Sequence, residues 1–237
     1  MTIFFRRPLA GVSAVLLLAG SVIVGSAAPA SAAHILRFST DGGVSWEETI
    51  VDVDSDGSIT YLGSIGTFLL DVTIGNSTPV IGSATDPTLS LFSLDVSSYL
   101  GGSLTIEHTD TDFTGTGTAS AYISTGILGG TVQYTTYWNA GEHDSAFGGT
   151  LMTDSGVLTG YMENTEFGPG PSSSGYTLTQ RVDLNFSGKG AALSSATLQI
   201  QSVPEPASVT LFAASLLLLG TCIVCGARPN EVHPPGE

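Results

Sequence analysis

The stretch Tyr176-Thr177-Leu178-Thr179-Gln180-Arg181-Val182-Asp183-Leu184-Asn185-Phe186 sets the fold class. Tyr176, Leu178, Val182, Leu184 and Phe186 alternate with Thr177, Thr179, Arg181, Asp183 and Asn185. Successive side chains of a strand point to opposite faces, so this alternation reads as an antiparallel strand with one face buried and the other wet.

Working outward, Thr67 to Ile74 repeats the pattern, with Phe68, Leu70, Val72 and Ile74 on one face, and Val132, Tyr134 and Trp138 form a third example. Further strands are expected at Ile35 to Ser39, Thr49 to Val53, Ser58 to Leu62, Leu89 to Val96, Ser103 to His108, Ala119 to Ser124, Thr150 to Thr153 and Ala196 to Gln201. Turn-forming stretches separate them, among them Asp41-Gly42-Gly43, Gly75-Asn76, Gly101-Gly102, Gly129-Gly130 and Gly168-Pro169-Gly170-Pro171. No amphipathic helix of useful length interrupts the series. About ten short strands with this punctuation predict an all-β fold, an antiparallel β-sandwich or jelly roll, over residues 33–202. One domain is expected; the Ser, Thr and Pro-rich stretch from Asn76 to Asp86 is where a second would begin.

Within residues 33–202 the basic side chains are Arg37, Arg181 and Lys189 against eighteen acidic ones, a formal charge of −15. With almost nothing to neutralise phosphates, nucleic acid and anionic lipid surfaces are excluded as partners, and divalent cations are favoured. Both cysteines, Cys222 and Cys225, lie in the apolar C-terminal run, so the expected domain carries no disulfide.

The two ends read as addresses. Arg6 and Arg7, the apolar run Leu9 to Val24 and the small residues Ala30-Ser31-Ala32 have the order of a secretory signal peptide over residues 1–32. Near the other end, residues 207–227 contain no charge, and as a helix they would span about 31 Å, enough for a bilayer core of about 30 Å. Val203-Pro204-Glu205-Pro206, that transmembrane helix and the following Arg228 together resemble the PEP-CTERM sorting signal (residues 203–237) of bacterial surface proteins. The resemblance implies an exported protein whose precursor is held transiently in the inner membrane until an exosortase-type membrane protease acts at Pro204-Glu205-Pro206. The order of FSTDGGVSW, PVIGSATDPTLSLFSLDV, SLTIEHTDTDFTG and GYTLTQRVDL also resembles a recurrent group of β-rich ectodomains in such proteins, and carries over no catalytic residue.

Three local motifs bear on chemistry. Ser39-Thr40-Asp41-Gly42-Gly43-Val44-Ser45-Trp46 resembles a single copy of the Asp-box hairpin of sialidases, and reads as a hairpin turn with Trp46 capping one end of the core. Asp52-Val53-Asp54-Ser55-Asp56-Gly57-Ser58-Ile59 has oxygen donors at positions 1, 3 and 5 and Gly at 6. That spacing fits the start of a calcium loop with Asp52, Asp54 and Asp56 as ligands, or an exposed acidic hairpin. Position 12 is Gly63 and no flanking helices are expected, so an EF-hand is excluded and a calcium-binding β-turn remains. His108, Asp110 and Asp112 would share one side of a strand, either as a metal face or as a solvated strand end; Glu142-His143-Asp144 reads as a polar loop.

No nucleophile elbow, HExxH or phosphate-cradling loop accompanies these residues, so no catalytic residue is assigned. The resemblance implies a structural or adhesive cell-surface or extracellular-matrix protein among exopolysaccharides. The alternative is a carbohydrate-binding module using Tyr134, Tyr137, Trp138 and Tyr161 as an aromatic platform. A polysaccharide-active enzyme would instead need two carboxylates facing each other across a cleft.

Overall fold

The computed structural model describes residues 34–141 and 149–202. The segments expected as a signal peptide (1–32), as a PEP-CTERM signal with its helix (203–237) and as the Glu142-His143-Asp144 loop lie outside the described residues. Among the described residues no helix is long and apolar enough to cross a membrane.

The described chain is all-β and sandwich-like. Its strands are β1 (Ile35–Ser39), β2 (Glu48–Val51), β3 (Ser58–Ile65), β4 (Phe68–Asn76), β5 (Thr88–Ser98), β6 (Gly102–Phe113), β7 (Thr118–Ala140), β8 (Thr150–Pro169) and β9 (Tyr176–Gln201). All named pairs are antiparallel. β3, β4 and β5 belong to the same compact unit as the rest, so no second domain begins at Asn76 to Asp86.

Two pairs of expected short strands are each one long strand. Ala119 to Ser124 and the segment around Tyr134 both belong to β7, and Tyr176 to Phe186 and Ala196 to Gln201 both belong to β9. One edge of β9 pairs with β7 along nearly its whole length. The other edge pairs with β6 over Tyr176 to Phe186 and with β5 over Gly190 to Gln199. β7, β8 and β9 are therefore shared by two layers, one continued by β6, β1 and β2 and the other by β5, β4 and β3.

The change of layer falls where the β7–β9 register breaks, between Leu128 and Gly130. Gly129 has φ 77°, and a Cβ on Gly130 or Gly190 would lie 2.4 Å from the Asn185 carbonyl or 2.3 Å from the Phe186 ring. Only glycine permits that approach, and a bulge at this point lets one strand serve both layers.

Between the layers lies the core, including Leu36, Phe38, Phe68, Leu94, Ile106, Val182 and Leu198. Phe38 of β1 meets Tyr61 of β3 at 4.6 Å between ring centroids, and Phe68 of β4 meets Phe186 of β9 at 6.1 Å. The alternation holds from Val182 to Phe186, but Thr177 and Thr179, expected on the wet face, are also buried, as is Gln180 at an inward position.

The Asp41 motif is the hairpin joining β1 and β2. Asp41 Oδ1 accepts from the Val44 and Ser45 N–H groups at 2.9 Å each, and its other oxygen accepts from the Ser45 hydroxyl at 2.6 Å. These hydrogen bonds, led by the Ser45 side chain, hold its carboxyl well below the usual carboxylate range. Trp46 does not cap the core: it lies over the Arg37 guanidinium, 5.7 Å from ring centroid to Cζ, and Arg37 points away from the buried Leu36 and Phe38. Arg181 pins the hairpin to the outer side of the sheet, donating to the Gly42 carbonyl at 3.1 Å while paired with Asp183 at 2.8 Å.

Candidate functional site

β2 ends at Val51, and the chain then turns back into β3 through the acidic loop. Asp52 N–H still donates to the His34 carbonyl at 2.9 Å, extending the β1–β2 ladder and turning the Asp52 side chain inward, where the residue is only 7% exposed. The loop closes over that carboxylate: Gly57 N–H donates to Asp52 Oδ2 at 2.8 Å, and Ser58 N–H donates to Asp56 Oδ1 at 2.9 Å. Ser55 and Gly57 take φ of 56° and 79°. A Cβ on Gly57 would sit 2.7 Å from the Thr78 carbonyl, because the β4–β5 connection runs against the loop, where Ser77 N–H donates to the Gly57 carbonyl at 2.9 Å.

One oxygen from each of Asp52, Asp54 and Asp56 falls within 4.8 Å of the others. The structure thus brings together all three residues expected as calcium ligands, with Asp54 and Asp56 exposed and Asp52 buried. Asp52 Oδ1 is buried without a hydrogen-bond partner, as are Asn76 Oδ1 and Thr78 Oγ1 on the neighbouring segment. The adjacent Asp52 carboxylate holds the Asp54 carboxyl above its usual range, with Asp56 adding to the effect. Such an arrangement of oxygen donors can hold a hard cation.

Behind the loop a polar chain crosses the interior. Asp52 Oδ2 lies 3.3 Å from His34 Nδ1, His34 Nε2 lies 2.6 Å from His108 Nε2, and His108 Nδ1 lies 2.7 Å from Gln180 Nε2. Gln180 Oε1 accepts from the Tyr134 hydroxyl at 2.9 Å. Burial works against charge on Asp52, but the Gly57 N–H, Asp54 and His34 outweigh it and keep its carboxyl below the usual range. Asp52 is then an acceptor and His34 donates to it from Nδ1; at the other end the Tyr134 hydroxyl donates to Gln180 Oε1, the Gln180 amide donates to His108 Nδ1, and His108 donates from Nε2 to His34. Burial, then the neighbouring His34, pushes the His108 imidazole well below its usual value.

His108 and Asp110 are neither a solvated strand end nor a metal face. Both point inward from β6 and are 0% and 1% exposed. Asp110 accepts from the Ser77 hydroxyl at 2.5 Å and from the Thr111 N–H at 2.8 Å, while burial pushes its carboxyl above the usual range. Asp112, at φ 65°, sits in the β6–β9 register shift and does not join them. Sequence reasoning passed over His34 and Gln180. Gln180 carried a readable signal, a polar residue at an inward position of an otherwise apolar strand face.

The four aromatic residues expected to form a platform do not share a face. Tyr134 is buried in the core, and Trp138 is turned inward against Tyr176, with rings edge to face at 6.3 Å. Tyr137 lies half-buried on the opposite side of β7 from Tyr134 and Trp138. Tyr161 alone of the four stands well out, 78% exposed, on the outer side of the other layer. There Leu62, Asp71, Asp95, Leu193, Gly126 and Tyr161 form one row across six strands. Gly126 leaves room for the Tyr161 ring, whose Cδ2 would be 3.8 Å from a Cβ there, and the Tyr161 hydroxyl donates to Glu163 Oε1 at 3.1 Å. Ser93, Ser124, Leu193 and Ser195 line the open trough beside the ring.

No family model matches the chain, and no curated protein matches it significantly. Among solved structures, TmCBM61 in complex with beta-1,4-galactotriose is similar at 8% identity and TM-score 0.33, covering 61% of this chain and 100% of that one. A structure of infectious bursal disease virus, Gx strain, is similar at 15% identity and TM-score 0.29, over 74% of this chain and 54% of that one. A family two carbohydrate esterase from Cellvibrio japonicus is similar at 14% identity and TM-score 0.20, over 63% of this chain and 36% of that one. At these scores none of the likenesses establishes a shared fold.

Proposed function

We propose that this chain is exported, is cut by an exosortase-type membrane protease at its Pro204-Glu205-Pro206 signal, and serves on the cell surface or in the extracellular matrix as a structural or adhesive domain among exopolysaccharides. Export and cleavage rest on the resemblance at Val203-Pro204-Glu205-Pro206, and the adhesive role is carried by the outer row from Leu62 to Tyr161, which mixes exposed apolar side chains with the carboxylates of Asp71 and Asp95 across six paired strands. Such an open strip suits a long polymer better than a small substrate.

Tyr161 favours a second, narrower reading as a carbohydrate-binding module. Its exposed ring beside serine hydroxyls and the Glu163 carboxylate offers a stacking surface flanked by hydrogen-bonding groups, the combination that sugar rings require. Co-sedimentation of the mature protein with the producing cell's own exopolysaccharide tests both. Saturable binding that Tyr161→Ala weakens supports the module. Saturable binding that the substitution leaves intact keeps the adhesive role without this site, and absence of binding removes the polysaccharide as partner.

A further inference from the structure

The loop from Asp52 to Gly57 combines two independent features. The first is the convergence of three carboxylates, one oxygen of each within 4.8 Å of the others. Like charges at this spacing repel one another unless a cation or a proton stands between them. The second is the orphaned Asp52 Oδ1. Asp52 is 93% buried by its 7% exposure; its Oδ2 takes the His34 ring and the Gly57 N–H, and Oδ1 takes nothing. A buried carboxylate oxygen with no donor costs about 1–3 kcal/mol or more, and native interiors rarely leave one in that state.

We propose that Asp52, Asp54 and Asp56 form a calcium site in which Asp52 Oδ1 is the inner ligand and Asp54 and Asp56 close the outer side. Three carboxylates match the preference of calcium for oxygen donors, and the exposure of Asp54 and Asp56 leaves room for the waters that complete six to eight ligands. Magnesium, which demands tight octahedral geometry and gives up water reluctantly, is served less well by a loop of this kind. The ion fixes the β2–β3 turn against the 76–78 segment, which the loop already meets through the Ser77 N–H and Gly57 carbonyl. It thereby ties the edge of one layer to the edge of the other. This inference is independent of the polysaccharide reading and stands or falls separately.

The test uses the full chain, purified in detergent and stripped with EDTA, with thermal unfolding and calorimetric titration against calcium and magnesium chloride. Calcium should give a saturable rise in Tm and a stoichiometry of one, with magnesium weaker. Asp54→Asn and Asp56→Asn should each weaken calcium affinity roughly tenfold or more. Because both side chains are exposed, the metal-free variants should melt no lower than the metal-free parent. Absence of saturable binding at millimolar calcium overturns the site, and so does binding that both variants retain unchanged.

Discussion

His34 and His108, 74 positions apart in sequence, meet through their Nε2 atoms at 2.6 Å inside the sandwich. Only one can donate, so the contact requires at least one neutral imidazole, and the Gln180 amide donating to His108 Nδ1 makes His108 the donor to His34. The acidic loop at the surface is thus joined to Tyr134 in the core.

The first prediction concerns pH. The folded state holds His108 well below its usual pKa, so between the unfolded value of about 6.5 and the folded one the unfolded chain binds the extra proton. The stability His108 contributes is present above that unfolded value and is lost as pH falls through this window, by up to about 1.4 kcal/mol per pH unit. Urea unfolding at a series of pH values from neutral to mildly acidic should show the decline, and His108→Gln should flatten it. An equally steep decline in the variant would contradict the assignment.

Gly75 of β4 faces that ring across the layers. A Cβ there would lie 2.8 Å from His108 Nε2, in an interior with no space to yield. Gly75→Ala should cost about 1–3 kcal/mol by overpacking, read as a lower urea midpoint.

Asp110 depends on Ser77 for the hydrogen bond that links β6 to the β4–β5 connection. Ser77→Ala leaves a buried carboxyl oxygen with one donor fewer and should destabilise by about 1–3 kcal/mol. Burial has raised the Asp110 pKa, and removing Ser77, which opposes that rise, should raise it further. The loss should therefore be larger at neutral pH, where the unpaired group is ionised, than near pH 4.

Tyr161 stands clear of the core, so Tyr161→Ala should leave the melting temperature unchanged within error. If the outer row carries the polysaccharide, the same substitution should weaken binding about 3- to 10-fold, the loss expected for one aromatic contact.

Glu205→Ala should leave export intact and let the full-length precursor accumulate in the membrane fraction. Immunoblots of membrane and medium give the answer, and normal trimming of the variant would remove the sorting assignment.

The sequence by itself determined what depends on neighbours along the chain. Alternation around Phe68, Leu178 and Val182 fixes strand and inward face because strand side chains project to opposite sides at every step. The Asp41 hairpin and the Asp52-to-Gly57 turn were legible because a carboxylate capturing N–H groups a few residues ahead is a local event. The layer change was not legible: Ala119 to Ser124 and Tyr134 read as separate strands, since Gly129-Gly130 has the same composition whether it ends a strand or bends one. Alternation placed Tyr134 on one face with Val132 and Trp138, but could not tell that this face is core rather than platform, that Tyr161 stands at the surface, or that His108 and Asp110 point inward. A histidine or aspartate becomes tolerable in an interior only when distant segments deliver its partners. Here residues 34, 77 and 180 reach β6 through strand pairing and the stacking of two layers, and that delivery is decided by the tertiary structure alone.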